Sequence, residues 1–155
     1  MEIITNQLIL DRENARIILI GQTKAEIISC SYRDLDDCLE ILKNMIGSTD
    51  IISLDAEDIL SLNVPGKTVK LASASAKGEH RTDDVFRRAF LNMETIHTLC
   101  FRITIPKNVT LDEIENGMTF LNTRGILSPD ATIVWSVELS EEDTDEVHLD
   151  AIIFS

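Results

Sequence analysis

Glycine is scarce in this sequence, with six in 155 residues: Gly21, Gly47, Gly66, Gly78, Gly117 and Gly125. No two lie close enough to build a loop that cradles phosphates, which excludes a glycine-rich nucleotide site. Cysteine is limited to Cys30, Cys38 and Cys100, without C-x-x-C spacing. That odd set excludes a disulfide framework and reads as small buried hydrophobes in a reducing compartment. Basic residues are few, 14 against 27 acidic ones, for a net charge of -13. Such a surface repels phosphate backbones and anionic lipid, so neither a nucleic-acid nor a polybasic membrane partner is expected. Long apolar runs are missing as well; Ile17–Ile20 is far too short to span a bilayer. The start, Met-Glu-Ile-Ile-Thr, lacks the basic residues and apolar core of a signal peptide, so a cytoplasmic location is expected. Histidine and cysteine are too scattered for a Ser-His-Asp or Cys-His set, and the chain reads as non-enzymatic, with no cofactor and no metal.

What is present suits one compact domain with a short appendage. Hydrophobic residues make up 44% of the chain, enough for a core that needs no covalent staple. The first thirty residues read as a meander of three strands, Ile3–Leu10, Ala15–Ile20 and Glu26–Cys30, separated by polar turns. A helix follows over 33–46, where Leu35, Cys38, Leu39, Leu42, Met45 and Ile46 form one stripe and Gly47 ends it. The segment 50–62 leads into a short helix capped by Asp55.

From Lys67 the order β-α-β-α-β-β is predicted. Strand 68–74 precedes a helix with Val85, Phe86, Ala89, Phe90 and Met93 on one face. Strand 99–105 alternates strictly, with Leu99, Phe101, Ile103 and Ile105 on one side. Thr110-Leu111-Asp112-Glu113 opens a second helix, whose Leu111, Ile114, Met118 and Leu121 are expected inward and whose stop is Gly125. Strands 132–138 and 146–154 are expected to close the sheet as an antiparallel hairpin around the acidic turn 140–145. Trp135 should face the core, whereas His80 and His97 read as surface residues. The predicted class is α+β: a two-layer sandwich with a mixed four-stranded sheet, two helices on one face and the other face open. Residues 1–30 form the meander, 31–66 the connecting segment and 67–155 the sandwich.

Several motifs occur in order over about three-quarters of the chain. These are the helix Leu35–Ile46; Ser53-Leu54-Asp55-Ala56-Glu57-Asp58; Gly78-Glu79-His80-Arg81; Pro129-Asp130-Ala131-Thr132; and Asp145-Glu146-Val147-His148-Leu149. Together they resemble the C-terminal domain of the FtsZ/tubulin superfamily. The resemblance implies that Leu35–Ile46 corresponds to the long central helix and that Ser53, Asp55 and Asp58 correspond to the synergy loop. In that family the loop approaches GTP held by the next subunit of a filament. The GTP-binding domain has no counterpart here, so the chain is not expected to hold GTP alone. The family's linker and anchor-recruiting peptide have no counterpart after the last strand in this sequence, so that partnership is not expected.

Two residue sets stand out. Asp55 and Asp58 share one side of a helix start, where carboxylates orient water beside a bound cation, and where they equally serve as ordinary caps. The capping reading ranks first, and Ser53 replaces the family's asparagine. Arg102, Glu138, His148 and Asp150 are expected on the open sheet face, as a solvated set of ion pairs or, less simply, a ligand or metal site. The leading functional reading is an interaction module docking on an FtsZ-like filament. The alternatives are a self-assembling homo-oligomer and a small-molecule enzyme with its site between subunits.

Overall fold

The computed structural model describes residues 1–47, 51–62 and 68–155. Its N-terminal part is a four-stranded antiparallel meander of β1 (Glu2–Thr5), β2 (Leu8–Asp11), β3 (Arg16–Ile20) and β4 (Ala25–Ser29), in sequence order. The segment expected as one strand, Ile3–Leu10, is two: it folds back at Asn6-Gln7, and a bulge between Ile3 and Thr5 lets β1 pair with β2. Alternation buries Leu8, Leu10, Ile17, Leu19 and Ile28 on one face.

That face covers helix α1 (Leu35–Met45), whose Leu35, Cys38, Ile41, Leu42 and Met45 are buried. Gly47 follows at φ +73°, the left-handed conformation that releases the chain from the helix. A short helix α2 (Ala56–Leu60) adds Ala56, Ile59 and Leu60 to the same core.

The second sheet contains β5 (Val69–Ala76), β6 (Ile96–Ile105), β7 (Leu127–Leu139) and β8 (Val147–Phe154), with α3 (Arg81–Phe90) and α4 (Leu111–Thr123) on one face. The predicted α+β sandwich is therefore observed, with one correction to its topology. Strand order is β5-β8-β6-β7, so β8 enters between β5 and β6, antiparallel to both, and makes no hairpin with β7. The acidic connection is long enough to pass over β6. The reason lies in β8 itself, where Ala151, Ile152, Ile153 and Phe154 are all buried. An unbroken apolar run belongs in the middle of a sheet covered on both sides. The remaining pair, β6 and β7, is parallel, as its helical crossover requires.

The face opposite α3 and α4 is only half open. Cys100, Ile152 and Phe154 join the core formed by α1 and the meander, leaving the other half polar. In α4 the inward residues are Ile114, Gly117 and Leu121, with Met118 partly buried; Leu111, expected inward, is 46% exposed. A Cβ on Gly117 would lie 2.8 Å from the Phe86 ring, so α3 and α4 approach at a point only glycine permits. Trp135 is partly buried and stacks on Phe101 at 5.7 Å. The expected boundary between connecting segment and sandwich, Gly66 to Lys67, and the start of the loop at Asp50 lie outside the described residues.

Candidate functional site

Ser53 lies on the segment between α1 and α2, Asp55 caps α2 and Asp58 sits in its first turn. This segment is strapped to the domain: Leu54 N–H donates to the Met45 carbonyl at 3.3 Å, and Gly47 N–H to the Leu54 carbonyl at 3.0 Å. Ile52 and Val137 exchange backbone bonds of 3.3 and 3.0 Å, which covers part of the outer edge of β7. Ser53, Asp55 and Asp58 are exposed. Asp55 caps α2: its Oδ1 accepts from Asp58 N–H at 3.1 Å, and Asp58 Oδ2 accepts from Asp55 N–H at 2.9 Å. This is a reciprocal capping box, so one oxygen of each carboxylate is engaged within the chain. The meander supports it from behind, with Ala56 N–H donating to Gln7 Oε1 at 2.7 Å and Gln22 N–H to Glu57 Oε1.

Arg102, Glu138, His148 and Asp150 share the polar half of the second sheet's other face. Arg102 stands opposite Asp150 in the ladder and ion-pairs with Glu138. His148 Nε2 lies 3.1 Å from Asp150 Oδ2. The structure adds Ser73 and Ser75, which sequence reasoning missed. Ser75 Oγ is 2.6 Å from His148 Nδ1, and Ser73 Oγ donates to Asp150 Oδ1 at 2.8 Å. Both serines lie on β5, directly across from His148 and Asp150 on β8. With β8 assigned to a hairpin with β7, that pairing was invisible.

The hydrogen bond to Asp150 raises the His148 pKa above the usual 6.5, against the opposing effect of burial. Burial pushes Asp150 upward, but hydrogen bonds from His148 and Ser73 outweigh it and hold the carboxyl below its usual value. Serine, histidine and aspartate thus stand in relay order. The arrangement is a hydrogen-bonded surface network. Beside it, α1 and β5 border a cleft of about 350 Å³ lined by Asp37, Glu40, Asn44, Leu71, Ser73 and Asp150. Its carboxylates repel anionic ligands.

Among the described residues, no group of three His, Cys, Asp or Glu side chains is placed to hold a metal ion. Cys38 and Cys100 are buried, and burial pushes the Cys100 thiol up to about 12. Cys30, partly exposed at the end of β4, is hydrogen-bonded to Cys38 and its pKa is lowered. His80 and His97 are exposed. Arg81, noticed only as part of a motif, is buried and reaches Asn108 Oδ1 and the Asp145 carbonyl at 3.2 Å each, with Glu113 Oε1 at 3.4 Å. It ties α3 to α4 and to the connection before β8.

Comparison with solved structures places this architecture. Two structures of FtsZ from M. jannaschii, one an empty dimer and one a mutant, superpose with TM-scores of 0.66 at 18% identity. The chain shares its fold with part of FtsZ. The superposition covers 81% of this chain and 38% of the FtsZ dimer's chain, so it spans well under half of that protein. TubZ protofilaments from Bacillus thuringiensis serovar israelensis match at a TM-score of 0.55 and 12% identity, over 79% of this chain and 34% of TubZ. No family model matches the sequence, and no curated protein matches it. Among the described residues, no helix is long and apolar enough to cross a membrane.

Proposed function

We propose that the protein is a non-enzymatic module that docks on an FtsZ- or TubZ-like filament and modulates its assembly. The observation that carries this reading is the exposed set Ser53, Asp55 and Asp58, on a segment strapped to the edge of an FtsZ-like domain while α1 beside it is covered by the chain's own meander. Closed in this way, an FtsZ-like domain offers one longitudinal surface while the flank of α1 is already occupied. Bound at a filament end, it would occupy a position without extending the polymer. The FtsZ and TubZ relatives supply the assembly context, one as a dimer and the other as protofilaments. Such a partner would place the protein in the cytoplasm, in cell-division or cytoskeletal work.

The reciprocal cap argues against a catalytic role for Asp55 and Asp58, which would contribute at most charge in trans to a partner GTPase. The double variant Asp55→Asn, Asp58→Asn separates capping from charge, because asparagine caps as well as aspartate. Addition of the protein to a polymerising FtsZ-like partner is expected to change both polymer mass and GTP turnover. The double variant should stay folded and lose most of that effect. Unchanged polymer mass and turnover with the native protein would overturn the proposal.

A further inference from the structure

The fold brings two of the three thiols together from different elements. The meander ends at Cys30, whose N–H donates to the Ala15 carbonyl at 3.0 Å. The chain then turns at once into α1: Asp34 N–H donates to the Ser31 carbonyl at 3.1 Å, and Cys38 N–H to the Asp34 carbonyl at 2.8 Å. One turn into the helix, Cys38 faces back toward the strand end that the chain has just left. Its thiol hydrogen-bonds to Cys30, and both side chains pack in the core between the meander and α1. They differ in access. Cys38 is 0% exposed, whereas Cys30 sits partly exposed at the rim of that core.

We infer that Cys30 and Cys38 form a peroxide-sensitive pair, in which Cys30 is the site of oxidation and Cys38 resolves it into a disulfide. Packing accounts for Cys38 and for Cys100, which is fully buried. A solvent-accessible thiol set against a second, shielded thiol is the arrangement that oxidation sensors use. Two thiols in contact also meet the first requirement for a disulfide, that their side chains point at one another. The hydrogen bond favours the Cys30 thiolate, the attacking form, over the opposing effects of burial and of the Asp34 charge.

The chemistry proceeds in two steps. The Cys30 thiolate attacks one oxygen of a hydroperoxide and the O–O bond breaks. The leaving oxygen takes up the proton that Cys30 released and departs as water or an alcohol, while Cys30 becomes a sulfenic acid. The Cys38 sulfur then attacks the Cys30 sulfur, an S–S bond replaces the S–O bond, and hydroxide leaves with the Cys38 proton as water. The peroxide is reduced by two electrons and the two thiols together are oxidised by two. The product staples the end of β4 to α1, across the contact that closes the molecule on that side.

Brief treatment of the native protein with hydrogen peroxide, then alkylation of the remaining thiols and tryptic mapping, tests the inference. Cleavage after Lys24, Arg33 and Lys43 puts Cys30 and Cys38 on separate peptides, 25–33 and 34–43, with Cys100 on 89–102. The expected result is a fall from three free thiols to one and a cross-link joining 25–33 to 34–43 within a single chain. Dithiothreitol should return both thiols. Cys30→Ser should slow thiol loss by about tenfold or more, because only buried thiols remain. Cys38→Ser should leave Cys30 as a sulfenic acid that dimedone captures on peptide 25–33. Far-UV circular dichroism checks both folds; should Cys38→Ser unfold, the native map and Cys30→Ser decide the matter. Three thiols that outlast peroxide sufficient to oxidise the urea-unfolded chain would overturn the inference. So would a cross-link through Cys100 or between chains, or a sulfinic acid at Cys30 in place of the disulfide. Filament docking uses Ser53, Asp55 and Asp58 and involves no thiol, so either idea can fail while the other stands.

Discussion

His148 is where single residues meet the widest network: Asp150 and Ser75 touch it, Glu146 favours its charged form and Arg102 opposes it. Its raised pKa means that the folded state holds the proton more tightly than the unfolded chain. The resulting stabilisation is complete below the unfolded value near 6.5 and disappears as pH rises through the higher folded value. Asp150 acts in the opposite sense: its contribution is present above 3.8 and is lost as pH falls through its lowered folded value. The pair is therefore strongest between those limits. With 39% of the His148 side chain exposed, solvent screening keeps the gain below about 1 kcal/mol. Urea denaturation of the native protein should show stability declining from mildly acidic to mildly alkaline pH, and His148→Gln should flatten that decline. Parallel pH curves for the two would contradict the assignment. Sequence alone brought Arg102, Glu138, His148 and Asp150 to one face by strand alternation. It could not supply Ser73 and Ser75, because only the β5–β8 register reveals them.

At the scale of elements, α3 and α4 meet where Gly117 lies against Phe86 and Thr82. Gly117→Ala gains helix propensity of about 1 kcal/mol. It also drives a methyl to 2.8 Å from a fully buried ring and 2.9 Å from the Thr82 methyl, where overpacking costs about 1–3 kcal/mol. Net destabilisation is expected in chemical denaturation; a gain in stability would mean the helices are free to move apart. Periodicity made the described helices legible, and the Asp55 cap and the Gly47 and Gly125 stops were read from residue type. Strand existence was clear apart from the split of the first strand, but strand order was not. Local signals identify a turn of acidic residues and say nothing about whether it joins neighbours or spans an intervening strand. The apolar run Ala151–Phe154 carried the missing information, since a strand buried on both faces belongs at the centre of its sheet. The split of Ile3–Leu10 at Asn6-Gln7 went unread because isoleucine and leucine continue across it.

For the molecule as a whole, the meander decides how the FtsZ-like part is closed on the α1 side. It supplies the apolar surface that α1 requires on the side away from the second sheet, so α1 is buried between two sheets of one chain. One face of the meander is consumed in that way, its isoleucine face is offered outward, and Ser53, Asp55 and Asp58 remain exposed. The FtsZ-like fold was legible from several short motifs in the right order. The role of the meander was not, because its strands resemble nothing specific and only packing shows what they cover. The central claim, docking on a filament, is met most directly by co-sedimentation of the labelled protein with preassembled FtsZ- or TubZ-like polymer. The account predicts saturable pelleting with the polymer that Asp55→Asn, Asp58→Asn greatly reduces. Protein that stays in the supernatant at every polymer concentration would contradict it.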